Sequence, residues 1–266
     1  MKKDILFANG CSFTWGGALE PWFMFVDGKP LGDIIGYDAK HFMTAKGFTG
    51  KENSAVREQL LWPHHLGNLL GCHDVVNLGM GCGSNQRIIR TTLDWLSAQD
   101  RETLDRTKAV IQLTEPSRYE YYDQENDFWA RCKIDICTQK GEDQEIAQER
   151  NMSRLSTFTK LEGIYNFVSD CMAINQIMTS FDVEYHMWCL VNPFDRTDPD
   201  FMHLKDLINK SCSWINQTML ESLYGSLETL KADNGKISTA PSSNHPGVEG
   251  HQELAEILHF YMLAKS

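Results

Sequence analysis

A serine and a histidine at opposite ends of the chain have the residue types and settings needed for nucleophilic catalysis. Ser12 follows the apolar run of residues 5–8 in a turn of small residues, which would expose its hydroxyl and direct backbone N–H groups to an oxyanion. His245 precedes Pro246, which favours an extended conformation, so the ring can project from a loop. The two residues predict a serine nucleophile and its base.

Each of these residues also has a plainer interpretation. A serine in a turn after a strand is usually a cap or turn residue. A single histidine in a loop most often has no chemical task, and His251, within the last helical segment, is expected to be structural. The chemical interpretation therefore depends on the residues taken together.

A glycine-rich segment provides a second candidate part of the site. Gly79, Gly81 and Gly83 stand between an apolar run and a helical segment, where glycines allow a tight turn with outward N–H groups. Either Ser84 or Asn85 could cap the helix, and the plainer interpretation is a turn with such a cap. The spacing lacks the third glycine of a dinucleotide-binding motif, so no nucleotide cofactor is expected.

The elements that must position these residues alternate between strands and helices. Short apolar runs predict buried strands at residues 5–8, 75–78, 109–113 and 185–191. Helical periodicity marks residues 56–70, 85–97, 155–179, 202–223 and 248–263. The alternation indicates a parallel sheet covered by helices on both faces, in a single domain over residues 1–266.

Two long segments, at about 16–54 and 120–149, interrupt this alternation. Segments of this size at the carboxyl ends of strands commonly shape binding sites. Their aromatic residues either line a sugar-binding cleft or pack the segments onto the domain. These residues are Trp15, Trp22, Phe23, Phe25, Tyr119, Tyr121, Tyr122, Phe128 and Trp129.

Net charge, the short first apolar run and the cysteine pattern exclude several classes of protein. The chain has 25 Lys and Arg residues against 36 Asp and Glu, a net charge of −11, which argues against nucleic acid and anionic membranes as partners. The first apolar run is too short for a signal peptide or a membrane span, so we expect a cytoplasmic protein. The 8 cysteines form no C-x-x-C pair, which predicts reduced thiols. Metal-ligand spacing is also absent from the sequence, so we expect no metal, and no cofactor is expected either.

Taken together, the motifs resemble those of the SGNH (GDSL-type) hydrolases, most of all the divergent members in bacteriophages and bacteria. For a phage-encoded member, the expected cytoplasm would be that of the host. The matching segments span nearly the whole chain, at residues 10–14, 62–71, 77–85 and 245–251. The resemblance implies a three-layer α/β/α sandwich with a central parallel sheet of about five strands. It also implies an active site at the carboxyl edge of that sheet.

The resemblance assigns roles to the candidate residues. Ser12 would be the nucleophile and an oxyanion donor through its own N–H, and His245 would be the general base. A glycine of the second motif would supply another N–H. Gly81 or Gly83 matches best, because Cys82 stands where the family glycine usually falls.

The third motif departs from the family pattern. The family has an asparagine there whose amide is a further oxyanion donor, whereas no asparagine follows the run that ends at residue 113. Loss of such a donor typically costs about 100- to 1000-fold in rate unless another group substitutes. The candidates are Thr114, Ser117 and Asn85. Arg118 could be a fixed cation near the site or, as an alternative, a salt-bridged surface residue.

The fourth motif lacks the acid that orients the histidine. The expected positions, two or three residues before His245, hold Ser243 and Ser242. Without a carboxylate the predicted machinery is a Ser-His dyad, in which a backbone carbonyl can partly replace the acid.

Two functions follow from these observations. The first is a serine esterase or deacetylase that acts on an acyl ester, with an O-acylated carbohydrate as a candidate substrate. The second is a catalytically impaired module that binds carbohydrate or is associated with a virion. Retention of Ser12 and His245 favours the enzyme, and the missing asparagine and acid favour the module.

Overall fold

The structure is a computed structural model that describes residues 3–16, 19, 24–26, 28–30, 51–81, 83–124, 127–133, 159–189, 202–215 and 246–265. Its strands are β1 (Ile5–Asn9), β2 (Met24–Val26), β3 (Lys29–Pro30), β4 (Lys51–Glu52), β5 (Asp74–Asn77), β6 (Thr107–Leu113), β7 (Arg118–Asp123), β8 (Phe128–Lys133) and β9 (Glu184–Cys189). Its helices are α1 (Ser12–Trp15), α2 (Ser54–Leu60), α3 (Trp62–Leu70), α4 (Asn85–Ser97), α5 (Arg101–Arg106), α6 (Lys160–Phe181), α7 (Met202–Ser211) and α8 (Val248–Lys265).

A parallel sheet of four strands forms the centre of the described structure, in the order β5-β1-β6-β9. Ile5 stands opposite Asp74 on one side and opposite Thr107 on the other, so β1 is an inner strand. The α/β class with a parallel sheet is therefore confirmed. The sequence predicts about five strands, and the sheet has four within the described ranges.

Helices cover both faces of this sheet. Side chains alternate along a strand, so Leu6 and Ala8 of β1 pack in a core with α3 and α8. Phe7 lies on the opposite face, in a second core with α4, α6 and α7. This arrangement gives the three layers expected from the sequence.

The segment predicted as one helix over residues 56–70 forms two helices, α2 and α3. They meet at Leu61, whose φ of −96° and ψ of 151° are extended. Pro63 has no N–H to donate to an upstream carbonyl and is accommodated only in a first helical turn, here that of α3. The proline therefore explains why a second helix begins here.

Both long interrupting segments contain strands outside the central sheet. Strands β2, β3 and β4 form a small antiparallel sheet within the first segment. Strands β7 and β8 form a hairpin in which Tyr122 stands opposite Trp129, and β7 starts slightly before the predicted boundary at residue 120. The other residues of these segments lie outside the described ranges.

His251 connects the last helix to the third. Its side chain is fully buried, and its Nδ1 accepts the Trp62 N–H at 3.2 Å. The N–H groups of a first helical turn have no partner within their own helix, so His251 satisfies a donor that α3 cannot. This structural role is the one expected from the sequence.

Substitution of His251 by alanine should destabilise the fold. We expect the free energy of unfolding in urea to fall by about 2–4 kcal/mol, because the variant loses buried volume and leaves the Trp62 N–H without an acceptor. Gln252→Ala, at an exposed position of the same helix, should change it by less than about 0.5 kcal/mol. Equal effects of the two substitutions would contradict the role assigned to His251.

Three further observations concern membranes, metals and thiols. In the ranges that the structure describes, no helix is both long and apolar enough to cross a bilayer. The same ranges hold no group of three or more His, Cys, Asp or Glu side chains arranged to bind a metal ion. Cys11, Cys171 and Cys212 are buried thiols.

Candidate active site

Ser12 lies just beyond the carboxyl end of β1, as the first residue of the single-turn helix α1. The carbonyl of Cys11 accepts the N–H groups of Thr14 and Trp15, both at 3.0 Å. Gly16 ends the turn with a left-handed φ of 89°, a conformation that favours glycine. Ser12 itself is 8% exposed and stands at the rim of an inner strand.

The helix that carries Ser12 is tied to the neighbouring strand β6. Thr14 Oγ1 donates to Gln112 Oε1 at 2.5 Å, and both residues are buried. Gly10 lies beside this hydrogen bond, since a Cβ there would meet Thr14 Oγ1 and stand 2.8 Å from Gln112 Oε1. Only a residue without a side chain fits, so Gly10 allows α1 to approach β6.

Asn9 ties the end of β1 to α4. Its fully buried Nδ2 lies 3.1 Å from the Ile88 carbonyl and 2.9 Å from the hydroxyls of Thr91 and Thr92. Its Oδ1 accepts the Gly10 N–H at 2.9 Å. Asn9 thus fixes the chain just before the Ser12 turn, a role that the sequence interpretation missed.

The glycine-rich loop, which contains Gly79, Gly81 and Gly83, follows β5 and extends the pairing of β5 with β1 beside the Ser12 turn. Leu78 N donates to the Ala8 carbonyl at 2.8 Å, and Met80 N donates to the Gly10 carbonyl at 3.1 Å. A Cβ on Gly79 would stand 2.7 Å from backbone atoms of Thr14 and Trp15. The loop and α1 are therefore in direct backbone contact.

The other two glycines of this loop differ in their surroundings. Gly81 lies beside the Trp15 ring, where an added Cβ would be 3.5 Å from the nearest ring carbon. Gly83 lies against the Cys11 backbone, and its N–H donates to the Met80 carbonyl at 3.0 Å. The Gly83 N–H is thus used within the loop.

The Asn77 side chain connects the glycine-rich loop to two helices by hydrogen bonds. Its Nδ2 donates to the Thr14 carbonyl at 3.1 Å and to Glu58 Oε2 at 3.0 Å, while its Oδ1 accepts the Gly79 N–H at 2.9 Å. One side chain thus joins β5, α1 and α2.

Asn85 and Thr114 form a reciprocal pair where α4 begins and β6 ends. Asn85 Oδ1 accepts the Thr114 N–H at 2.8 Å, and Asn85 Nδ2 donates to the Thr114 carbonyl at 3.2 Å. The helix cap is Ser84, whose Oγ accepts the Arg87 N–H at 3.2 Å. The structure therefore uses the Asn85 amide to hold Thr114.

Asp170 lies on α6. Burial raises the pKa of its carboxyl from 3.8 to about 6, and the Asn85 side chain opposes the rise. A carboxyl with a raised pKa is a common feature of functional sites.

Asp170 should make stability depend on pH. Because the pKa of Asp170 is higher in the folded chain than in the unfolded chain, its contribution to the free energy of unfolding should fall as pH rises from about 4 to about 6 and then level off. Asp170→Asn should remove this dependence and raise the free energy of unfolding near neutral pH by about 1–2 kcal/mol. Urea denaturation at several pH values measures both effects, and an unchanged pH dependence would contradict the assignment.

The remaining candidate residues fall into two groups. Arg118 Nε donates to Glu115 Oε1 at 2.8 Å, so Arg118 is salt-bridged, as in its alternative interpretation. Ser117 is half-buried in the turn between β6 and β7. The other group lies outside the described residues and comprises Cys82, Ser242, Ser243 and His245.

Comparison with solved structures finds hydrolases of low sequence identity. LAE5, an alpha/beta hydrolase from the metagenome of Lake Arreo, Spain, is 10% identical with a TM-score of 0.42, over 97% of this chain and 94% of that chain. A variant of Axe2, an acetyl-xylooligosaccharide esterase from Geobacillus, is 12% identical with a TM-score of 0.41, over 98% and 94%. A member of the lipolytic G-D-S-L family from Veillonella parvula is 10% identical with a TM-score of 0.36, over 98% and 96%.

Sequence comparison gives a family. No curated protein matches the sequence. One family model matches residues 49–259, a range that includes the glycine-rich loop, the Asn85–Thr114 pair and Asp170. The chain therefore belongs to DUF6071, a family of unknown function.

Proposed function

We propose that the protein is an SGNH-type serine esterase or deacetylase that hydrolyses an acyl ester, with O-acylated carbohydrates as the substrate class. The main support is the position of Ser12 on the first turn after the inner strand β1, in backbone contact with a glycine-rich loop. A nucleophile needs this kind of setting, with its hydroxyl at a strand end and N–H groups nearby.

In the proposed reaction, Ser12 Oγ attacks the ester carbonyl carbon while His245 accepts the hydroxyl proton. The negative charge on the carbonyl oxygen is held by the N–H groups of Ser12 and Gly81. Collapse of the tetrahedral intermediate breaks the ester bond, and His245 returns the proton to the leaving alcohol. Water, deprotonated by His245, then attacks the acyl carbon. The bond between this carbon and Ser12 Oγ breaks, the carboxylic acid leaves, and His245 returns the proton to Ser12 Oγ.

The remaining candidates have supporting roles in this proposal. Gly83 and Asn85 shape the site, Gly83 through its hydrogen bond to the Met80 carbonyl and Asn85 through its pair with Thr114. The Thr114 hydroxyl takes the place of the missing asparagine, with Ser117 as the alternative. A backbone carbonyl near Ser242 and Ser243 would orient His245. Neither a metal nor a cofactor takes part, and the cytoplasmic location stays a prediction.

The proposal is tested by the release of nitrophenol from nitrophenyl acetate by the purified protein. We expect turnover above the buffer rate that saturates with substrate and disappears after heat denaturation. A second assay measures acetate release from acetylated and deacetylated xylo-oligosaccharides, and only the acetylated form should give a signal. The absence of turnover with every ester would contradict the enzyme proposal.

A second candidate, a carbohydrate-binding module without turnover, is favoured by one surface feature. Tyr122 and Trp129 of the hairpin are 44% and 43% exposed, with ring centroids 5.4 Å apart. The Arg90 guanidinium lies 4.4 Å from the Trp129 ring centroid. Aromatic faces stack well on sugar rings, so binding of xylo-oligosaccharides that is lost in Trp129→Ala, without ester hydrolysis, would support this function.

A further inference from the structure

A small apolar cluster lies between the first and the last helix of the described structure. Leu19 and Leu61 form its centre, and both are fully buried. The half-buried side chains that pack against these two leucines are Trp15, Val56, Leu60 and Val248. The cluster therefore joins residues of α1, α2 and α8 to Leu61, which lies at the break between α2 and α3.

The helix that carries Ser12 is attached to this cluster at its end. Trp15 is the last residue of α1, one helical turn after Ser12. A Cβ on Gly16, the next residue, would meet Leu61 Cδ2 and would stand 3.7 Å from Leu19 Cδ1. The backbone at the end of α1 therefore lies directly against the two leucines.

The first turn of α8 is attached to the same region by two contacts. Val248, its first residue, packs on the cluster, and His251 Nδ1 accepts the Trp62 N–H at 3.2 Å. Residues three apart in a helix share a face, so both contacts hold the same side of α8. Leu61 and Trp62, their partners, are consecutive in the chain. Rotation of α8 about its axis would therefore break at least one contact.

The position of Val248 constrains the candidate base. Three residues of chain span at most about 11 Å, so Val248 limits how far His245 can lie from the cluster. Between them, Pro246 is buried. His251 holds α8 one turn further along, so Val248 is the contact nearer to His245. The cluster thus connects the helix of the candidate nucleophile to the segment of the candidate base.

We propose that Val248 is a positioning residue, whose packing on Leu19 and Leu61 holds His245 at the distance from Ser12 that proton transfer requires. The inference rests on the proposed esterase, in which His245 is the general base. A general base must lie within hydrogen-bond reach of the proton that it removes. Loss of the Val248 contact should therefore slow acyl transfer and leave substrate binding intact.

Two valine substitutions separate this role from a simple loss of packing. Val248→Ala should lower kcat for nitrophenyl acetate by about 10-fold with KM nearly unchanged, because small displacements of a catalytic group have large effects on rate. Val56→Ala is the matched control, since Val56 is also half-buried and packs on the same leucines but lies on α2. Both variants should lower the midpoint of urea denaturation slightly, and only Val248→Ala should lose activity. Val248→Ile, which retains a branched apolar side chain, should keep most of kcat.

NMR of the His245 ring provides a readout that needs no turnover. In the wild-type background, Ser12→Ala should shift the ring resonances of His245, because the proposal places the two side chains in contact. In the Val248→Ala background, Ser12→Ala should cause a much smaller shift. In the Val56→Ala background, the shift should be retained.

The two readouts separate this inference from the esterase proposal. A shift of His245 by Ser12→Ala that requires Val248 supports the positioning role even if no ester is hydrolysed, a result that would contradict only the proposed function. Equal losses of kcat in Val248→Ala and Val56→Ala, or a loss in neither, overturn the inference. So do His245 resonances that ignore Ser12→Ala, or that shift equally in the Val248→Ala background.

Discussion

Ser12→Ala is expected to lower the rate of ester hydrolysis by at least about 1000-fold, because the variant has no hydroxyl to attack the carbonyl carbon. The free energy of unfolding should change by less than about 1 kcal/mol, since one oxygen is removed at the rim of the sheet. Steady-state kinetics with nitrophenyl acetate and urea denaturation measure the two quantities. Loss of activity without loss of stability would separate a chemical role from a structural one.

Ser97→Ala is the matched control for this substitution. Ser97 ends α4 at an exposed position, where its hydroxyl donates to the Asp94 carbonyl at 3.0 Å. Its replacement should leave hydrolysis unchanged. If Ser12→Ala retained the activity of the wild type, Ser12 would be a turn residue and the nucleophile would lie elsewhere.

Gly79→Ala is expected to damage both the fold and the activity. The added Cβ would stand 2.7 Å from the Thr14 carbonyl carbon and the Trp15 nitrogen, and these backbone atoms cannot move without moving α1. We expect the free energy of unfolding to fall by about 1–3 kcal/mol, as for an overpacked core. Hydrolysis should fall by about 100-fold, since displacement of a catalytic group by about 1 Å has effects of this size.

Gly81→Ala provides the comparison within the same loop. A Cβ on Gly81 would be 3.5 Å from the Trp15 ring, an ordinary van der Waals distance. The free energy of unfolding should therefore change by less than about 0.5 kcal/mol. If Gly79→Ala were equally harmless to stability, the close contact between the loop and α1 would be wrong.

The fold could be predicted because its signals are local. Each strand of the central sheet contains a short apolar run, and each of the longer helices has its own apolar periodicity. Pro63 also indicates the break between α2 and α3 locally. The apolar periodicity continues across it, however, and therefore predicted a single helix. The six-residue helix α5 was missed because it is too short to show a clear period.

The polar network of the site could not be predicted in the same way. Asn9 binds groups about 80 residues away, on α4, and Thr14 binds Gln112, 98 residues away. No spacing pattern connects such residues before the sheet has formed. Asp170 lies on a helix that the sequence predicts, yet nothing local distinguishes this half-buried carboxyl from a fully exposed one. The candidate nucleophile was identifiable only because a motif surrounds it.

Covalent labelling reports directly whether Ser12 is an activated nucleophile. The folded wild-type protein would be treated with a fluorophosphonate and digested, and the modified residue identified by mass spectrometry. We expect stoichiometric modification of Ser12, which is slowed in His245→Ala and absent in Ser12→Ala. Modification of a different residue, or no modification of Ser12 in the folded wild type, would contradict it.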